Sequence, residues 1–145
     1  MRQVIGWTVP LIAGVILAAS GVAAGADPVK AAVGWSGAVA DPALEAKKPA
    51  DGLVGNGKDF AALWKAWRPN EEVPDVDFGS YFVLVVTRPK GHTFVIHLLP
   101  VGGGDVKVLS GTPVGGKELP GFGYGLAVFP RDKVKSIGGK EIPAK

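Results

Sequence analysis

Residues 81–88 read Tyr81-Phe82-Val83-Leu84-Val85-Val86-Thr87-Arg88. Successive side chains of a strand turn to opposite faces, so Phe82, Leu84 and Val86 share one face while Val83 and Val85 share the other. Both faces are apolar. A strand with one wet face alternates apolar and polar residues; one buried on both faces reads as a continuous apolar run. This stretch therefore predicts a central strand with a layer packed against each side.

Upstream of it, Phe60, Leu63, Trp64 and Trp67 fall at i, i+3, i+4 and i+7, a single apolar stripe on a helix. Asn56 is suited to the N-cap. Asp59, three residues on, sits beside the free amides and the positive end of the helix dipole. Pro69 ends the helix, because the residue before a proline is pushed out of the α region. Four large apolar side chains on so short a helix require a surface to bury them. Pro74-Asp75-Val76-Asp77-Phe78 then reads as an ordered entry into the central strand, with Val76 and Phe78 packing inward.

Downstream, Pro89-Lys90-Gly91-His92 reads as a turn. Thr93 to Leu99 follows as a second strand with Phe94, Ile96 and Leu98 on one face. Gly102-Gly103-Gly104-Asp105 turns the chain into a third strand, Val106 to Leu109. After a loop over residues 111–121, Phe122, Tyr124, Leu126 and Val128 share one face of a fourth strand. Gly123, Gly125 and Ala127 line its other face, where small residues let a backbone or a ring approach closely. Lys133 to Ile137 alternates as a last strand. Before the helix, Trp35 to Val39 suits a short strand, Asp41 to Asp51 an exposed loop, and Leu53-Val54 a brief pairing. Short connections favour antiparallel neighbours. The expected fold class is α+β: one amphipathic helix packed on a twisted antiparallel sheet, as a small barrel or sandwich.

The chain has 145 residues and begins Met1-Arg2-Gln3, followed by an apolar run from Val4 to Ala19 and a small-residue stretch ending Ala24-Gly25-Ala26. A basic start, an apolar middle and an A-x-A site are the marks of a secretory signal peptide. Residues 1–26 are expected to be removed near Ala26, and the mature domain exported to the periplasm or beyond. The alternative is a membrane anchor, since ~20 apolar residues span a bilayer. Pro10, Gly14, Ser20, Gly21 and Gly25 interrupt the run and favour cleavage. What remains is one domain, with residues 27–55 as an N-terminal extended segment and 56–145 as helix plus sheet.

Loss of the leader takes one basic residue, Arg2, from the 16 present, leaving 15 against 13 acidic. That balance is not the basic stripe of a nucleic-acid binder. The basic residues near the end, Arg131, Lys133, Lys135, Lys140 and Lys145, against Asp132 and Glu141, read as a solvated strand edge and tail. With no cysteine the chain has neither disulfides nor thiolate chemistry, and no lipidated N-terminus. The 22 glycines and 12 prolines mark turns between apolar runs.

Catalytic motifs do not assemble. His92 and His97 have no third ligand at metal-binding spacing. Ser36, Ser80, Ser110 and Ser136 lie outside any G-x-S-x-G elbow. Residues 111–117 copy the spacing of a phosphate loop, yet Glu118 stands where the magnesium-binding hydroxyl belongs and Pro120 forbids a helix start. Neither metal nor cofactor is expected. Asp75 and Asp77 form the densest carboxylate pair, either as a site or as acceptors of backbone amides at the strand entry. Among the aromatics, Trp35 and Tyr124 are candidates for a binding surface. Phe60, Leu63, Trp64, Trp67, Phe78 and Phe122 read as core.

The layout from Phe60 to Val86, with F-x-x-L-W-x-x-W on a helix, then P-D-V-D-F, then an apolar strand, resembles small exported bacterial domains of unknown function. More distantly it is similar to the C-terminal domain of the protease-complex lipoprotein PrcB. The resemblance implies an accessory role and carries no catalytic residues. The chain departs from it in lacking a lipid-attachment cysteine and a glycine-rich strand after Gly91. These readings converge on an exported, non-catalytic binding or accessory module of the bacterial envelope, its partner an envelope protein or polymer. The competing expectations are a small hydrolase working through Asp75 and Asp77, and a domain tethered by an uncleaved leader.

Overall fold

The computed structural model describes residues 27–90, 95–111 and 118–144. The leader, His92, Phe94 and most of the phosphate-loop-like stretch lie outside the described residues. Among the described residues, eight strands and one α-helix are arranged as β1 (Val33–Val39), β2 (Leu53–Val54), α1 (Gly57–Trp67), β3 (Tyr81–Pro89), β4 (Val95–Gly102), β5 (Asp105–Gly111), β6 (Phe122–Pro130), β7 (Ser136–Ile137) and β8 (Lys140–Glu141). They form two four-stranded sheets, ordered β1-β6-β3-β2 and β4-β5-β7-β8. The fold class is α+β, a sandwich of mostly antiparallel sheets with one α-helix among the described residues.

The two-sided apolar pattern of β3 explains the layering. Val83 and Val85, with Phe122, Tyr124, Leu126 and Val128 of β6, meet Phe60, Leu63, Trp64 and Trp67 of α1 in one core. Phe82 and Leu84, with Ala127 and Phe129, meet Leu98 and Val106 of the second sheet in another. The first sheet is thus the middle layer, between helix and second sheet. Small residues at Gly123, Gly125 and Ala127 leave room on the side facing the second sheet.

Helix α1 starts where its cap directs. The Asn56 side chain accepts from the Asp59 amide at 2.9 Å and donates back to the Asp59 carboxylate at 2.9 Å. This reciprocal pairing satisfies a free end amide. At the other end Arg68 is the C-cap, next to Pro69. Val76 and Phe78 pack against the first core as expected.

Four expectations need correction. Strands β3 and β4 do not pair; they enter different sheets, because each face of β3 is already committed to burial and its edges are taken by β2 and β6. The β4–β5 hairpin does form, but β5 and β7 run parallel. The last strand is reduced to Ser136–Ile137, with Val134 buried ahead of it. Pro42–Lys47, inside the expected exposed loop, is a 3₁₀ turn capped by Asp41. The Trp67 indole N–H donates to the Leu44 carbonyl there at 2.9 Å, so this turn is fastened to the helix.

Arg131 departs furthest from its sequence reading. Rather than ending in solvent, its guanidinium donates to four backbone carbonyls: Phe78 and Tyr81 at 2.9 Å, Pro143 at 2.7 Å and Gly55 at 3.1 Å. It gathers the β3 entry, the α1 entry and the C-terminal tail around one planar donor fork.

Candidate functional site

Sheet edges display unpaired backbone groups and are usually blunted by charge, proline, shortness or cover. Three of the four edges here are treated in that way. β2 and β8 have two residues each. β4 carries Pro100, and Val29 bridges it through a 2.8 Å bond from the Val29 amide to the Leu98 carbonyl. The fourth edge, β1, has seven residues, Val33-Gly34-Trp35-Ser36-Gly37-Ala38-Val39, with neither a charge nor a proline. Among the described residues its only neighbour in the sheet is β6.

The direction of its free groups follows from register. The Val85 amide donates to the Gly52 carbonyl at 2.7 Å, in line with the Leu53–Leu84 pairing. In an antiparallel ladder, alternate residues bond to a given neighbour. Odd-numbered residues of β3 therefore bond toward β2 and even-numbered ones toward β6. Leu84 opposite Ala127 and Val86 opposite Gly125 leave Tyr124, Leu126 and Val128 to bond toward β1. Their partners are Gly37, Trp35 and Val33. The backbone groups of Gly34, Ser36 and Ala38 consequently point outward.

One of these is occupied. Arg68 donates from Nη2 to the Ser36 carbonyl at 3.0 Å, from Nε to the Tyr124 hydroxyl, and from Nη1 to the Glu71 carboxylate at 2.7 Å. Its guanidinium carbon lies 4.9 Å from the Trp64 ring centre and 5.7 Å from that of Tyr124, within cation–π range. A cation at a helix C-terminus also meets the negative end of the dipole. Arg68 thereby latches the middle of β1 to the end of α1.

A hollow lies on each side of β1. On the side of the second sheet, a groove of about 260 Å³ is lined by Gly34, Trp35 and Ser36, by Gly125 to Ala127, and by Ala31, Val95 and Ile96. Among the described residues that line it, none is ionisable. On the helix side, a hollow of about 310 Å³ is lined chiefly by Gly37, Ala38, Arg68, Asn70, Glu71 and Tyr124. The first is apolar and the second polar.

Trp35 and Tyr124 come together in this region. Trp35 is half-buried, its ring 5.2 Å from Trp64 and 6.0 Å from Phe60. Tyr124 is 2 % exposed, with its ring 5.0 Å from Trp67. Phe78 lies 5.8 Å from Phe60, and Phe122 5.3 Å from Trp67. Asp75 and Asp77 lie elsewhere, on the stretch before β3. An Asp77 carboxylate oxygen accepts from the Gly79 amide at 2.9 Å, and the Asp77 carbonyl accepts from Ser80 and Tyr81. This is the backbone-acceptor role at the strand entry, and Asp75 is exposed beside it.

Of the remaining chemistry-bearing groups, His97 is exposed on β4 opposite Leu109. Arg88 reaches from the first sheet to the Ser110 hydroxyl and carbonyl of the second at 2.6 and 3.0 Å. The Ser136 hydroxyl donates to Asp105 at 2.6 Å and the Gly139 amide to the same oxygen at 3.0 Å. These bonds, led by that of Ser136, hold the Asp105 carboxyl below the usual carboxylate range. Among the described residues no cluster of three or more His, Cys, Asp or Glu could hold a metal. None of their helices is long and apolar enough to cross a membrane. Compared with protein-family models, curated proteins and solved structures, the chain matches none of them.

Arg68 and the β1 edge escaped sequence reasoning. The edge emerges only when the partner of every strand is known. A hint lay in the uncharged run Val33 to Val39, whose glycines and serine suit close backbone approach.

Proposed function

We propose that this chain is an exported, non-catalytic binding or accessory module of the bacterial cell envelope, and that it holds its partner along β1. The observation that carries this reading is the contrast among edges: three are shortened, prolined or covered, whereas among the described residues the seven-residue β1, itself without a charge, has no strand beyond it, with its Ser36 carbonyl held by Arg68. An edge of this kind is a template for another chain. The leader-like residues 1–26 and the resemblance to exported accessory domains support the compartment and the accessory role.

The test is a pull-down from envelope extract of the producing bacterium with residues 27–145 as bait, run beside the Ser36→Pro variant. The Ser36 amide points away from β6, so proline there removes no ladder bond and is tolerated at an edge. The expected result is a protein or polymer retained by the parent and lost from the variant. Retention by both would move the contact away from β1. Recovery of no partner, with cleavage of a labelled glycan or peptide by the same preparation, would replace the binding reading with a hydrolytic one.

A further inference from the structure

Building on that reading, we infer that the partner of β1 is an extended polypeptide segment whose side chains alternate between apolar and neutral polar, added as a fifth strand to the first sheet. Three observations lead there. The outward backbone groups of Gly34, Ser36 and Ala38 recur every second residue, the repeat that an incoming strand can meet with its own amides and carbonyls; the Ser36 carbonyl, which already accepts from Arg68, has its second lone pair to offer. The hollows flanking β1 lie on opposite faces of the sheet, so a strand laid along the edge sends its side chains alternately into one and the other. Their linings differ: among the described residues the groove beside Gly34 and Ser36 has no ionisable side chain, while the opposite hollow is bordered by Asn70 and by the already paired Arg68 and Glu71.

Size and charge narrow the occupant further. A groove of about 260 Å³ falls below the usual volume of small-molecule sites, roughly 300–1,000 Å³, but suits one or two side chains of a strand. A charged side chain there would lose hydration with no counter-charge among the described lining residues. A second copy of this chain is the less suitable partner. Stable interfaces draw on roughly 20–30 residues a side, and the seven residues of β1 with the few beside them supply far fewer. A short segment that adds backbone bonds needs no such area.

The experiment selects a displayed library of random nine-residue peptides on residues 27–145, with counter-selection on Ser36→Pro. A second control, Ser36→Lys, changes an exposed side chain and puts a charge beside the groove, which covers the case in which the proline variant fails to fold. The expected result is enrichment of sequences alternating apolar and neutral polar residues, with binding weakened at least tenfold by Ser36→Lys. Amide exchange of the complex should slow at Gly34, Ser36 and Ala38, and not at Val33, Trp35 and Gly37. Enriched peptides without alternation, or protection of the odd-numbered amides, would overturn the strand inference and leave the binding role standing. Concentration-dependent dimerisation of the parent that Ser36→Lys abolishes would overturn it in favour of self-pairing. Failure to enrich any peptide overturns it as well; the binding role falls with it only if the envelope pull-down is also empty.

Discussion

Tyr124 lies over its cross-strand partner Gly37 so closely that a Cβ at Gly37 would stand 2.7 Å from the phenol oxygen. That oxygen accepts from Arg68, which also holds the Ser36 carbonyl. The position of the β1 edge therefore depends on a glycine, a phenol and a guanidinium that are distant in sequence. Tyr124→Phe keeps the ring and removes the acceptor, so it isolates the polar part of the latch. Hydrogen bonds to charged groups contribute about 1.5–3 kcal/mol, and Arg68 is largely shielded. Urea unfolding of Tyr124→Phe should show a loss of about 1–2 kcal/mol, with faster amide exchange along β1. Gly37→Ala should destabilise too, because the Tyr124 ring must move to admit the methyl group.

The helix gives a second prediction. Trp64 and Trp67 are 2 % and 6 % exposed, and truncating a buried aromatic residue to alanine costs about 3–5 kcal/mol. The two should differ in what a milder change does. Trp67→Phe retains much of the packing but loses the 2.9 Å bond to the Leu44 carbonyl, so the Pro42–Lys47 turn should become protease-sensitive while the helix persists. Limited proteolysis with mass mapping checks this, and a cut pattern unchanged from the parent would refute it.

Legibility in the sequence tracked how local each determinant is. The stripe of Phe60, Leu63, Trp64 and Trp67 and the cap at Asn56 lie within a dozen residues, and their helix formed as read. The two apolar faces of β3 likewise announced their cover, since burial on each side is written into every second residue. Pairing was less accessible. β1 finds its partner in β6, with Val39 opposite Phe122, and no local pattern encodes a contact across so much chain. The β3–β4 connection misled because a short link permits a hairpin without requiring one. Arg131 is illegible for a related reason: it binds backbone carbonyls, which every residue has, so no complementary residue type signals its targets; for Arg68 only Glu71 is near in sequence, while Tyr124 and the Ser36 carbonyl lie far along the chain. As for the candidate site, Trp35 and Tyr124 were picked out as aromatic residues, but the edge beside them depends on the strand order.

Arg131 yields a prediction that separates charge from geometry. Its four carbonyl acceptors come from three segments, and a lysine cannot reproduce the planar fork that serves them together. Arg131→Lys and Arg131→Ala should therefore both destabilise the fold, by about 1–3 kcal/mol for carbonyls left without a donor. The tail should loosen first. Hydrogen exchange at Ile142, whose amide donates to Lys135, is expected to rise in both variants. Full rescue by lysine would show that charge alone matters at this position.

The acid response of the second sheet should depend on Asp105. Its carboxylate accepts from the Ser136 hydroxyl and the Gly139 amide, which favours the ionised form and places its folded pKa below the unfolded value. A depressed folded pKa stabilises above the unfolded pKa, about 3.9 for an aspartate. That contribution disappears as pH falls from there through the lower folded value. Asp105→Asn removes the titration and leaves an amide that can still accept weakly. The parent should lose stability between about pH 4 and the folded pKa more steeply than the variant, the two curves converging in acid. Ser136→Ala, which removes the leading cause of the shift, should fall between them. Urea midpoints measured across this range test the assignment, and parallel curves for parent and Asp105→Asn would show that the carboxylate does not couple β5 to the β7–β8 turn.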